Sequence, residues 1–149
     1  MKDLTPTRTG RLAEELARAL PEVVFAFQFG STLGESARPD SDLDLALFLE
    51  EGADQGGVLL RAQAVVEAVE PRRRPDVGIL NGADPVFRFE AIKGVLLVCR
   101  DQERYLDFVC SACRAFEHQM VSYARQRRYR LEVRNGDQRR DPAQTGPAR

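Results

Sequence analysis

A chain of 149 residues, 43% apolar and 30% charged, is expected to form one domain that buries about two thirds of its unfolded surface without staples. Twenty-two basic against 23 acidic residues leave a net charge of −1, so no overall field calls for nucleic acid, and direct nucleic-acid binding is not expected. Three cysteines without a second pair exclude a disulfide framework or a zinc site, and no apolar run approaches the roughly 18 residues of a membrane span. With no apolar signal core in Met1–Pro6, a cytoplasmic protein without membrane contact is expected.

Thr7 or Thr9 can cap a first helix that runs to Leu20, with Leu12, Leu16 and Leu20 at four-residue spacing and Pro21 ending it. The β-branched and aromatic run Val23–Phe29 reads as a strand, and Leu43–Leu49 continues a second strand opened by Asp42. Between them lies Gly30-Ser31, followed by a stretch in which Thr32–Arg38 can form a short helix. The glycine-rich link 50–57 lacks Gly-Lys-Ser/Thr, which excludes a P-loop. Val58–Val69 is then an amphipathic helix, with Leu59, Ala62, Val66 and Val69 on one side.

Pro71-Arg72-Arg73-Arg74-Pro75 is a basic approach to a third strand, and a run of this kind reads first as a solvated one, with contact to phosphate or to an acidic partner as the other reading. Asp76, Gly78 and Leu80 share one face of that strand. Asp84 caps and Pro85 opens a helix through Lys93, with Phe89 and Ile92 as core candidates. Val95–Cys99, led by Gly94, is a fourth strand, and Asp101 opens a long helix to about Leu131. On its wheel Val109, Cys113, Phe116, Met120 and Tyr123 form one stripe, expected to pack on the core or on a partner, while His118 faces the other way as a solvated residue. Residues 125–149 hold eight arginines against three acidic residues, a surplus of five that leaves −6 for the rest. Their last part, 135–149, lacks apolar periodicity, so the domain is expected to span 1–134 and to end in a disordered basic tail, 135–149.

The chemistry concentrates between the first two strands. Alternation along the second places Asp42, Asp44 and Ala46 on one face and Leu43, Leu45, Leu47 and Leu49 on the core face. Carboxylates two residues apart on a strand, about 6.5–7 Å along the backbone, can reach one Mg²⁺ or bracket a pair of cations. At the preceding turn, glycine admits close approach of backbone N–H groups to a phosphate, and the Ser31 hydroxyl adds a donor. The two halves together read as a triphosphate clamp beside a metal site.

Gly30-Ser31, ten residues and then Asp42-x-Asp44 resembles the signature of the polymerase-β-like nucleotidyltransferases. The short chain and the form Gly-Ser…Ser-Asp-Leu-Asp-Leu are most similar to the minimal nucleotidyltransferases (MNT), antitoxins of HEPN-family ribonucleases. That family has a third carboxylate on a later strand, a position matched by Asp76. It also commonly has Ala-Arg-Gly in the loop where this chain has Leu33-Gly34-Glu35, so a loop arginine is missing. The resemblance implies an α/β fold: a small mixed sheet of about four strands with helices on one side and a long C-terminal helix. It implies Asp42, Asp44 and Asp76 as catalytic residues and Mg²⁺ ligands, and Gly30 and Ser31 as nucleotide-binding residues.

The implied activity is transfer of AMP from ATP to a tyrosine hydroxyl of a cognate HEPN toxin, which silences the toxin. Two other functions stand beside it. One is a catalytically weak antitoxin that neutralises by contact through the long helix; the other is nucleotidyl transfer to a small molecule, which generally needs a further helical domain or a dimer.

Overall fold

The computed structural model describes residues 8–30 and 40–138. In chain order they form α1 (Arg8–Ala19), β1 (Val23–Phe29), β2 (Leu43–Leu49), α2 (Gln55–Val69), β3 (Pro75–Ile79), α3 (Pro85–Ile92), β4 (Val95–Cys99) and α4 (Gln102–Gln138). The strands make one mixed sheet in the order β3-β2-β1-β4. β1 is antiparallel to both β2 and β4, while β2 and β3 run parallel. This topology brings the end of β1 and the starts of β2 and β3 to one edge of the sheet.

Alternation along β2 builds two cores. Leu43, Leu45, Leu47 and Leu49 pack against Leu12, Leu16 and Leu20 at α1 and Val58, Ala62 and Val66 of α2. On the opposite face Ala46 joins Phe25 and Phe27 of β1, Ala91 of α3, and Phe108 and Ala112 of α4. The four strands and the long last helix agree with the sequence reading, but the helices occupy two sides of the sheet rather than one. The reason lies in β1, where six of seven residues are buried: a strand apolar on both faces must be covered on both.

Local signals set the helix ends. Asp84 accepts hydrogen bonds from the N–H groups of Val86 and Phe87, with Pro85 in the first turn, as its sequence position implied. α2 starts three residues before the expected Val58, because the Asp54 side chain accepts from the Gly57 N–H. Gly57 is therefore a first-turn residue rather than a linker: a Cβ there would lie 2.6 Å from Asp54 Oδ2. Arg100 fastens the end of α1 to the sheet, donating to the carbonyls of Val23 (2.8 Å) and Leu20 (3.2 Å).

α4 differs from its expected register and length. Phe108 and Ala112 are its buried residues, one position before Val109 and Cys113, while Met120 and Tyr123 are exposed. Phe116 stacks on Phe89 of α3 with ring centroids 3.8 Å apart, which docks the first half of α4. From Val121 to Gly136 every residue is exposed, and the helix continues to Gln138, past the expected boundary at 134. The remainder of the expected tail, 139–149, lies outside the described residues.

Candidate active site

The sheet edge gathers three carboxylates. Asp42 immediately precedes β2, Asp44 is its second residue, and Asp76 is the second residue of β3. Asp44 and Asp76 are register partners across the parallel pair, so their backbones stand about 4.8 Å apart. Asp42 and Asp76 are exposed, and Asp44 is half-buried between them. The leucines of β2 anchor this strand in the first core and leave the aspartates at its mouth.

Gly30 closes the other side. Asp44 pairs with Phe29 across the antiparallel β1–β2 ladder, which places the Asp44 side chain against the residue that follows Phe29. Gly30 has φ +83°, and a Cβ built on it would lie 2.0 Å from Asp44 Oδ2. Both the backbone conformation and the carboxylate exclude any other residue at low cost. Ser31, read with Gly30 as a phosphate-binding residue, lies outside the described residues, as does the expected helix within 32–38.

Three like charges gather at this edge. Burial raises the Asp44 carboxyl above the ordinary carboxylate range; the neighbouring Asp76, by charge and hydrogen bonding, and then the charge of Asp42 push the same way. Among the described residues no ion pair involves Asp42, Asp44 or Asp76. Among the described residues no three or more His, Cys, Asp and Glu side chains are arranged to hold a metal ion by themselves, Asp42, Asp44 and Asp76 included. An open edge of oxygen donors fits Mg²⁺, which keeps several waters and is held by one or two carboxylates plus substrate phosphates. The donor set contains no sulfur or imidazole, a chemistry that suits a hard cation rather than a soft one.

A cleft of about 250 Å³ opens beside the carboxylates, lined by Asp42, Arg74, Pro75 and Asp76. The arginine run read as one solvated stretch has three environments. Arg72 is exposed, Arg73 is half-buried with its guanidinium 3.8 Å from the Glu70 carboxylate, and Arg74 stands at the cleft. Sequence reasoning weighed phosphate contact for the run as a whole and did not single out Arg74, although its position two before Asp76 was a usable signal. The larger groove of about 400 Å³ between α1 and α2, lined by Arg11, Glu15, Arg61 and Val65 among others, lies on the leucine-covered face and contains none of the three aspartates.

Three strand ends that gather carboxylates and a glycine turn at one edge define a nucleotidyltransferase core. Comparison of the sequence with protein families agrees: the family described as polymerase beta, nucleotidyltransferase matches residues 12–103, and the chain belongs to it. A search among curated proteins finds no match.

Solved structures share the fold at low identity. A tri-AMPylated Shewanella oneidensis HEPN toxin in complex with MNT antitoxin aligns with 16% identity and TM-score 0.62, covering 83% of this chain and 96% of that one. A toxin–antitoxin structure with AMP-PNP aligns with 17% identity and TM-score 0.64, covering 84% and 99%. The toxin–antitoxin MntA–HepT aligns with 16% identity and TM-score 0.62, covering 83% and 97%.

Proposed function

We propose that this chain is a Mg²⁺-dependent protein adenylyltransferase that moves AMP from ATP to a tyrosine hydroxyl of a HEPN-family toxin and thereby acts as its antitoxin in the cytoplasm. The observation that carries the reading is the carboxylate edge, Asp42, Asp44 and Asp76 beside Gly30, in a chain of the nucleotidyltransferase family. The likeness to MNT antitoxins, in one case with an AMPylated toxin and in another with AMP-PNP, supports ATP as donor and a toxin as acceptor.

In the proposed reaction the acceptor oxygen attacks the α-phosphorus of ATP. A new P–O bond to tyrosine forms, the bond to the β-phosphate bridging oxygen breaks, and pyrophosphate leaves. Asp42 and Asp44, with help from Asp76, would hold Mg²⁺, which would supply charge neutralisation for the triphosphate and the leaving group. Asp76, exposed at the mouth, accepts the hydroxyl proton. Gly30, whose missing side chain leaves room for the Asp44 carboxylate, would with Ser31 position the β and γ phosphates.

The second half of α4 favours a contact role as well. Val121 is 51% exposed, Tyr123 55%, Tyr129 68%, Leu131 43% and Val133 46%, on a helix segment that the body does not cover. A partner surface laid against these side chains would bury them. Contact and catalysis are compatible, since the two use different ends of the molecule's chain.

The test is mass spectrometry of the toxin after incubation with this protein, Mg²⁺ and ATP. Each transferred AMP adds roughly 329 Da, and peptide mapping assigns it to tyrosine. An unmodified toxin under conditions where the two proteins form a complex would remove the enzyme reading and leave neutralisation by contact.

A further inference from the structure

We propose that Arg74 is a phosphate-binding residue of the donor site, taking the triphosphate of a Mg²⁺-bound nucleotide from the β3 side of the carboxylate edge. The inference rests on the proposed nucleotidyl transfer and deepens it.

Chain geometry fixes where Arg74 stands. Its carbonyl accepts the Leu43 N–H at 2.9 Å, which ties the approach to β3 to the first residue of β2. Pro75 follows and pairs in register with Leu43; a proline holds the residue before it in extended backbone. Arg74 is therefore anchored between Asp42 and Asp76 in sequence-distant but adjacent strand ends, and it lines the same cleft as both. Gly30 flanks Asp44 from the β1 side and Arg74 from the β3 side, because β2 lies between those two strands in the sheet.

Among the described residues the guanidinium has no carboxylate partner, although two carboxylates share its cleft, whereas the adjacent Arg73 is held by Glu70. An arginine kept at a carboxylate-lined cleft without neutralising it leaves both charges for a ligand that carries both signs. Metal-bound triphosphate is such a ligand: its cations meet the aspartates, and its non-bridging oxygens accept the paired N–H groups of the planar fork. The cleft, about 250 Å³, is smaller than the roughly 300 Å³ at which sites for whole drug-sized ligands begin. A cleft of this size has room for phosphate groups.

The experiment measures binding of Mg²⁺–ATP, Mg²⁺–tripolyphosphate and AMP by calorimetry to the full chain and its variants Arg74→Ala, Arg74→Lys and Arg72→Ala. Circular dichroism checks each fold, and Arg74→Gln keeps the side-chain length should Arg74→Ala fail to fold. Losing a charge-assisted hydrogen-bond pair should weaken ATP and tripolyphosphate about 10- to 100-fold, leave AMP nearly unchanged, and be partly restored by lysine. Arg72→Ala should bind as the parent does.

ATP binding by folded Arg74→Ala or Arg74→Gln at parental strength would overturn the assignment. So would equal weakening in the Arg72 and Arg74 variants, the mark of a diffuse charge effect. If either result came with metal-dependent binding lost in Asp42→Asn with Asp44→Asn, the nucleotidyl-transfer reading would stand without Arg74. A parent protein that binds no Mg²⁺–ATP would remove both.

Discussion

Gly30 and Asp44 share one volume: the space a Cβ would take on Gly30 is filled by the Asp44 carboxylate, 2.0 Å from where that carbon would be. Gly30 at the end of β1 and the Asp44 side chain of β2 are therefore a single fitted unit. Gly52 offers the matching control, since its φ is +78° and nothing lies within 4 Å of its would-be Cβ. Gly52→Ala should cost only the backbone strain, about 1–2 kcal/mol by urea denaturation. Gly30→Ala should cost that plus displacement of Asp44, and AMP transfer should fall by more than about 10-fold. Equal activity in the two variants would show that the contact does not position the carboxylate.

The electrostatics of Asp44 set a pH dependence. Its carboxyl is raised by burial and by Asp76 and Asp42, so the folded state holds that proton more tightly than the unfolded chain does. The stabilising contribution is complete below the ordinary carboxylate range and is lost as pH rises through the raised value. In EDTA, the stability of the parent relative to Asp44→Asn should therefore decline across that interval. Mg²⁺ favours the charged form and should reverse the decline above it. The measurement is chemical denaturation at several pH values with and without Mg²⁺; parallel curves for parent and variant would show that Asp44 carries no such strain.

Deleting residues from Val121 onward should leave the melting temperature of the body unchanged within error. Every residue from Val121 to Gly136 is exposed, so the cut removes little buried apolar surface. The same truncation should weaken toxin binding, most at low salt because arginines 125, 127, 128, 130, 134, 139, 140 and 149 go with it. A drop of several degrees in melting temperature would show that this half of the helix supports the domain.

Much of this was legible in residue patterns. The bounds of β1 follow from an unbroken β-branched and aromatic run, and the start of α3 follows from Asp84 and Pro85. Asp42 and Asp44 fall opposite the leucines because a strand alternates, and the leucines indeed line the first core. The covering of both sheet faces was also written in β1, but its continuous apolarity was read as strand alone. The register of α4 was less accessible. Ala112 is fully buried yet small, so it adds little to a hydropathy wheel that the larger Val109, Met120 and Tyr123 dominate. Arg74 was obscured by its neighbours, since three consecutive arginines look alike until Glu70 takes one and the cleft another.

The most direct test of the account pairs two readouts on one variant, Asp42→Asn with Asp44→Asn. Both residues sit at a strand mouth whose burial is carried by Leu43, Leu45, Leu47 and Leu49, so the variant should fold and still form the toxin complex through α4. As proposed metal ligands they should matter more than the roughly 10- to 100-fold seen when residues behind a metal's own ligands are changed. The account predicts that AMP addition to the toxin, followed by intact mass, falls by more than about 100-fold and that toxin silencing falls with it. Undiminished addition of AMP by this variant would contradict the assignment of catalysis to the carboxylate edge.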